Sequence, residues 1–542
     1  MTIRIVRTTP YDDQRPGTSG LRKKARVFAE RPHYLETFIQ AVFDALGGVE
    51  GARFVLGGDG RWFSDRALDV ILRMMAANGV AEVRVGQHGW LSTPAASCLI
   101  RKYGATGGIL LSASHNPGGP DGDFGIKINI GNGGPAPERL TEAIWAASRR
   151  LTCYRILEEG RIDLEREGEQ RLGGMRVRVV DPVADHAELL AGLFDFDAIR
   201  ALFRSGFRML FDAMHGITGP YARRILEQML GAPAGTVLRG DPLPDFGGLH
   251  PDPQPVSCRE LVARMLAEDA PDFAAASDGD GDRNLILGRG LYVTPSDSLA
   301  ILAAHAGSMP GYRRRLTGVA RSLPTSRAVD RVAEALGLAC YETPTGWKFF
   351  GNLLDAGRIQ LCGEESFGTG SDHLREKDGM WAVLAWLHIL ATTRLSVREI
   401  VHRHWQRFGR DYYTRHDYEG LEAQAATDLL ADLRRRLPAL PGTAIDGVEV
   451  VAADDFAYVD PVDGSRSERQ GIRILFADGA RVVYRLSGTG TEGATLRVYI
   501  ERYARERLFE DTQAHLAPVI ARARALSGIA ARLGRSAPDV IT

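Results

Sequence analysis

RFVLGGDGRWFSDRALDVILRMMAANGVAEVRVGQHGWLSTPAASCLIRKYGATGGILLS, residues 53–112, alternates between two periodicities. RFVLG is a short apolar strand. Ser64 is then read as the N-cap of a helix, its hydroxyl placed to accept from the free amides of the first turn. Leu68, Ile71, Leu72 and Met75 give that helix one apolar stripe, and Gly79 suits its C-terminal turn. AEVRV is the next strand, PAASCLIRKY the next helix and GGILLS the third strand. Strand and helix alternating in this way call for a parallel sheet covered on both faces, with ligands at the carboxyl ends of the strands.

The same logic recurs along the chain. Four apolar runs, ending at Ser112, Ser277, Cys362 and Ser487, each feed a Gly-rich polar loop. Loops at domain-sized intervals predict four α/β domains, each lending one loop to a shared central cleft. The expected boundaries are 1–182, 183–305, 306–393 and 394–542, with linkers near Gly231–Pro255 and Leu437–Gly442. A chain of 542 residues exceeds what one core organises, which agrees. Lys+Arg is 67 and Asp+Glu is 68, so the basic excess of a nucleic-acid binder is missing. The longest near-apolar stretch, Met380–Ala391, is shorter than the ~20 residues a bilayer crossing needs. The N-terminus meets charge and proline too early for a signal peptide. Five scattered cysteines make no CxxC pair. The expectation is a cytoplasmic, multidomain protein with no nucleic-acid, membrane or obligate protein partner. Only six of the basic residues are lysines, Lys23, Lys24, Lys102, Lys127, Lys348 and Lys377, and a deprotonatable ammonium has no substitute in guanidinium.

Each loop carries a distinct chemistry. Ser112-Ala113-Ser114-His115-Asn116-Pro117 puts a serine in a tight turn after a buried strand, either an exposed nucleophile or an ordinary hydroxyl-capped turn. It lacks the GxSxG pattern of a hydrolase elbow. Asp278-Gly279-Asp280-Gly281-Asp282-Arg283 sets three carboxylates close enough to repel unless a cation joins them. Arg283 and Arg289 stand where an EF-hand needs glycine and glutamate, so three hard oxygens without a full cage favour Mg2+. Gly363-Glu364-Glu365-Ser366 offers acceptors and hydroxyls suited to a sugar, or a merely solvated turn. Ser487-Gly488-Thr489-Gly490-Thr491-Glu492-Gly493 matches GxGxxG, but Leu496, Val498 and Ile500 alternate with polar residues as in a strand. A dinucleotide site needs a helix there. A hydroxyl-rich nest followed by Arg497 suits a phosphate monoester instead.

SASHNPGG (112–119), SDGDGDRN (277–284), CGEESFGTGSDHLREKDG (362–379) and RLSGTGTEGATLRVYIE (485–501) together resemble the four active-site loops of the α-D-phosphohexomutases. PGTSGLRKK (16–24), DAMHGITGPYARRIL (212–226) and TPTGWKFFGNLLD (343–355) are similar, more narrowly, to the phosphoglucomutase branch. Ser112 departs from the threonine many relatives have. The resemblance implies four domains around a deep cleft, the first three similar mixed α/β sandwiches and the last a smaller α+β unit. It implies Ser114 as phosphoryl carrier and, with Asp278, Asp280 and Asp282, as a ligand of Mg2+. Arg22, His115, Arg283 and Lys377 would surround the transferring group, with Lys377 or His115 moving the proton. Thr18, Ser19, Arg22, Lys127, Thr345, Gly346, Glu364, Ser366 and Lys377 would contact substrate, and Ser487, Thr489, Gly490, Thr491 and Arg497 would hold its non-reacting phosphate. The implied reaction is exchange of glucose 1-phosphate and glucose 6-phosphate through glucose 1,6-bisphosphate, which also serves as activator. Two rivals remain in view. A metal-dependent phosphohydrolase would show clustered histidines, and a non-catalytic scaffold would be expected to lose Ser114 or an aspartate. Mannose phosphates are an alternative substrate.

Overall fold

The computed structural model describes residues 2–17, 19–313, 316–487 and 493–542. Thr18, Thr489, Gly490 and Thr491, all expected to contact substrate, lie outside the described residues. The chain divides into two compact units: Met1–Pro295, His305–Leu316 and Ser366–Val397 form the first, and Ser296–Ala304, Thr317–Glu365 and Arg398–Thr542 the second.

The first unit contains the alternation read from residues 53–112. Strand Arg53–Gly58 lies between Glu82–Trp90 and Gly107–Leu111, parallel to both. The complete sheet has seven strands, with Leu21–Lys24 and Gly168–Leu172 at its antiparallel edges. Phe54, Val55, Leu56, Ile109, Leu110 and Leu111 are at most 2% exposed, as strands covered on both faces should be. Helix Ser64–Ala77 covers one face through Leu68, Ile71, Leu72 and Met75, and Gly79 has the left-handed φ of +81° that closes its end.

The expected cap is different. Ser64 is the first helical residue rather than the N-cap; Phe63, at φ 80°, holds the cap position. Phe63 packs against the sheet core, edge-on to Phe124, and this tertiary contact sets the helix start one residue earlier than the hydroxyl would.

A second sheet in this unit runs Val237–Leu238, Met209–Asp212, Phe273–Ala276, Leu285–Gly288 and Leu291–Val293. Its first three strands are parallel and the others antiparallel. Helix Gly379–Thr393 is apolar all round and buried from Gly379 to Ala391, so the most apolar stretch is interior. Among the described residues no single helix is long and apolar enough to cross a membrane.

The second unit has a parallel group, Ala339–Thr343, Gly318–Ser322 and Leu361–Gly363. It also has a seven-stranded antiparallel sheet whose long central strands are Arg410–Leu421, Ala494–Ala504 and Ala480–Ser487. Strand Ala494–Ala504 alternates as the sequence predicts. Leu496, Val498 and Ile500 enter the core beneath helices Ala423–Arg436 and Thr512–Ser527, while Arg497, Tyr499 and Glu501 take the other face.

Neither proposed linker joins the units. Gly231–Pro255 lies inside the first and Leu437–Gly442 inside the second. Their glycines and prolines serve turns that follow a folded surface. The first stretch buries Phe246 completely, and the second buries Leu437 and Leu440.

Candidate active site

Two strand ends and the middle of a third strand converge in the first unit. The loop after Gly107–Leu111 carries Ser114, the loop after Phe273–Ala276 carries Asp278, Asp280 and Asp282, and strand Asp123–Ile130 carries Lys127. Ser114 Oγ donates to Asp278 Oδ2 at 2.8 Å, joining nucleophile candidate and acidic loop directly. Ser114 is 2% exposed, with a left-handed φ of 54° that costs a non-glycine residue about 1–2 kcal/mol. The departing residue Ser112 has a task here: its Oγ accepts the Ser114 amide at 2.7 Å and donates to Asp280 Oδ2 at 2.9 Å.

The ligand atoms of Asp278, Asp280 and Asp282 lie within 4.8 Å of one another. Burial, then the charges of Asp282 and Asp280, push the Asp278 carboxyl well above its ordinary range. Asp280 Oδ1 and Asp282 Oδ1 are buried with no hydrogen-bond acceptor role filled, although Lys377 Nζ stands 3.3 Å from the latter. Excess negative charge, hard oxygens and unfilled lone pairs all fit a divalent cation of the Mg2+ type.

The cations are ordered around this triad. Lys127 Nζ lies 2.5 Å from Asp280 Oδ2 and 3.3 Å from Asp282 Oδ2. Burial alone would lower its pKa, but Asp280 and Asp282 outweigh burial and raise it, so Lys127 is a fixed positive charge. Arg283 Nη1 donates to Asp252 Oδ1 at 3.0 Å, while its buried Nε has no partner. Arg22, on edge strand Leu21–Lys24, feels Asp280, Arg283, Arg61 and Asp282, and burial lowers its pKa. His115 Nδ1 is 3.4 Å from Ser114 Oγ. Burial, then Arg283 and Arg22, drive the imidazole well below its usual pKa, so it is neutral. Lys377 passes over Gly368, where a Cβ would overlap its Cδ and Cγ. The residue after it, Asp378, binds His186 Nε2 at 2.7 Å and His373 Nε2 at 3.0 Å and caps helix Gly379–Thr393. That anchorage fixes the lysine's approach. Ser19 is exposed at the tip of the Gly17–Gly20 turn, and Ser366 is half-buried in this unit.

The other site residues lie in the second unit. Glu364 Oε1 accepts from Gly346 N at 2.9 Å, tying the two expected sugar contacts together, and Gly346 needs its φ of 126°. Thr345 Oγ1 is buried without a hydrogen-bond partner. Glu365 is held by Ser322 Oγ at 3.1 Å and by the Thr325 hydroxyl, which accepts its amide. Arg497 Nε is 3.5 Å from Asp417 Oδ2, and Ser487 ends strand Ala480–Ser487.

Several residues in the first unit escaped the sequence reading. Thr93 Oγ1 donates to Asp280 Oδ2 at 2.8 Å. Glu376, buried beside Lys127 and Asp282, accepts from Asn129 Nδ2 at 2.9 Å, and burial pushes it up to about 7. Asp252 lay hidden in a stretch read as a linker. Asp59 and Arg61 follow strand Arg53–Gly58 directly, and the rule placing ligands at strand carboxyl ends should have drawn notice to them.

Comparison with known proteins is consistent across the chain. Sequence models described as phosphoglucomutase/phosphomannomutase α/β/α domains I, II and III match residues 13–155, 184–290 and 295–408, and one described as the phosphoglucomutase-1 C-terminal domain matches 410–539. The chain is 58% identical to a phosphoglucomutase of Rhizobium radiobacter and 50% identical to phosphoglucomutase-1 of Homo sapiens, in each case over all of both chains. A solved structure of the Paramecium phosphoglucomutase pp63/parafusin, in an open form, superposes with a TM-score of 0.92 at 46% identity, covering 100% of this chain and 99% of that one.

Proposed function

The chain belongs to the phosphoglucomutase/phosphomannomutase family and is an isomerase of that family, and we propose that it exchanges glucose 1-phosphate and glucose 6-phosphate through a phosphoserine at Ser114. The observation that carries this reading is the 2.8 Å contact between Ser114 Oγ and Asp278 inside a buried acidic triad ringed by Lys127, Lys377, Arg22 and Arg283.

In the forward direction O6 of glucose 1-phosphate attacks the phosphorus on Ser114. The O6 proton passes to neutral His115, or to Lys377 in its amine form, the bond from phosphorus to Ser114 Oγ breaks, and Ser114 Oγ is reprotonated. Glucose 1,6-bisphosphate then reorients, Ser114 Oγ gives up its proton and attacks the 1-phosphoryl, the bond from phosphorus to O1 breaks, O1 takes up a proton, and glucose 6-phosphate leaves. Positioning and charge neutralisation supply most of the rate. Asp278, Asp280, Asp282 and phosphorylated Ser114 would hold Mg2+, which when bound neutralises charge on the transferring phosphoryl oxygens. Lys127 contributes a permanent positive charge. Arg283 has a free Nε to donate to the same oxygens. Glu364, Thr345 and Gly346 suit the sugar hydroxyls, and Ser487, Thr489, Gly490, Thr491 and Arg497 carry the donors an idle phosphate needs. Ser19 and Ser366 complete the expected substrate contacts. The four-part division 1–182, 183–305, 306–393 and 394–542 remains our proposal for how the loops are distributed.

The test is turnover of glucose 1-phosphate with Mg2+ and trace glucose 1,6-bisphosphate, reading inorganic phosphate in the same tube. Glucose 6-phosphate without phosphate release is expected. Phosphate release without glucose 6-phosphate would make the protein a hydrolase, and turnover of mannose 1-phosphate alone would change the substrate.

A further inference from the structure

Beyond the groups already assigned, one charged side chain grips the loop that carries Ser114. Arg61 is 1% exposed and Asp59 is fully buried. Arg61 Nε donates to both carboxylate oxygens of Asp59, at 3.0 and 2.9 Å, and Nη2 adds a third bond at 2.8 Å. The remaining donors go to backbone carbonyls of one loop: Nη2 to Ser114 O at 2.8 Å, and Nη1 to Asp123 O at 2.8 Å and, more distantly, Asn116 O at 3.4 Å. The ring of Phe246 covers the guanidinium at 5.2 Å. Pro244 O, two residues earlier, accepts the amides of Trp62 and Gly119, fastening the same loop to the segment that carries Arg61.

The geometry assigns Arg61 as the positioning residue of the nucleophile: it holds the strained Ser114 peptide by its carbonyl while Ser112 holds it by its amide. A left-handed non-glycine backbone persists only where its surroundings over-determine it. Here both polar groups of that residue are clamped, one by Ser112 Oγ and one by Arg61 Nη2. Asp59 neutralises the guanidinium, so Arg61 acts through geometry rather than as another charge for the phosphoryl group. Only a planar fork can reach Asp59 and two distant carbonyls together, so lysine cannot replace it.

This inference rests on the proposed role of Ser114, and its test separates the two. Arg61→Lys and Asp59→Asn would be compared with the unaltered enzyme for kcat and KM on glucose 1-phosphate, and for amide hydrogen exchange across residues 112–123. Because a misplacement near 1 Å costs on the order of 100-fold, kcat of Arg61→Lys should fall by about that factor, with KM within threefold. Asp59→Asn, which keeps an acceptor, should lose about tenfold, and exchange in the loop should quicken in both. Unchanged kcat and unchanged exchange in a folded variant would overturn the clamp. A raised KM at normal kcat would also overturn it, by making Arg61 a substrate contact. If Arg61→Lys does not fold, Asp59→Asn decides by the same criteria. An unaltered enzyme inert toward glucose 1-phosphate would refute the proposed reaction, and the exchange comparison would still judge the clamp.

Discussion

Ser114 shows how much one residue's surroundings specify its chemistry. Its hydroxyl meets Asp278, its amide meets Ser112 and its carbonyl meets Arg61. Ser114→Ala should abolish phosphoenzyme formation, seen as loss of the ~80 Da phosphoryl increment in intact mass; near-normal turnover by that variant would remove Ser114 from the mechanism. Glu376 gives a prediction of another kind. Burial lifts its carboxyl from 4.5 to about 7, so between those values the folded protein keeps a proton that the unfolded chain has released. Stability from this group is therefore complete below about 4.5 and is lost as pH rises through 7. Glu376→Gln should match the unaltered protein in Tm near pH 4.5 and exceed it near pH 7.5, both without divalent cation. Equal pH slopes for the two proteins would refute the assignment. The serine, the triad and their cations were legible because each follows an apolar run in a recognisable order of residue types. Arg61, Asp252 and Glu376 were not, because what matters about them is a partner far away in sequence.

Among the elements, strand periodicity was the most reliable guide. Leu496, Val498 and Ile500 alternate inward, and that alternation was enough to reject a dinucleotide loop despite the literal GxGxxG. The start of helix Ser64–Ala77 was read one residue wrong, since the packing of Phe63 outweighs the local hydroxyl signal. The turn preceding Lys377 supports a prediction at this scale. A Cβ at Gly368 would overlap the flexible stem of Lys377 and little else. Gly368→Ala should therefore leave Tm nearly unchanged while lowering kcat by tenfold or more, as the ammonium is pushed from Asp282. A Tm loss comparable with the activity loss would mean that the glycine serves the fold instead.

The whole molecule was legible as α/β domains with loops at strand ends, and this is the family architecture. The reading failed at connections, because glycine and proline mark turns whether or not a domain ends there. What composition could not reveal is where the arginines work. In the second unit Glu342 binds Arg321 at 2.7 Å, Arg473 at 2.5 Å and Arg481 at 3.2 Å. Arg481 continues to Glu501 at 3.0 Å, which also takes Arg327 at 2.7 Å. This clasp joins strands Gly318–Ser322 and Ala339–Thr343 to the antiparallel sheet. Burial pushes Glu342 up, but Arg321, Arg481 and Arg473 outweigh burial and hold it ionised. Glu342→Gln would leave Arg321, Arg473 and Arg481 with one carboxylate partner each, Asp330, Asp454 and Glu501, and should cost about 2 kcal/mol, read as a lower Tm. A change within 0.5 °C would show the clasp to be ornamental.

Guanidinium keeps its proton throughout the physiological range, and the same surroundings hold Glu501 down to about 2. The clasp therefore behaves as a fixed joint over the interval in which Glu376 titrates. Mild acidification would then protonate the buried Glu376 carboxyl while the clasp kept its own charges.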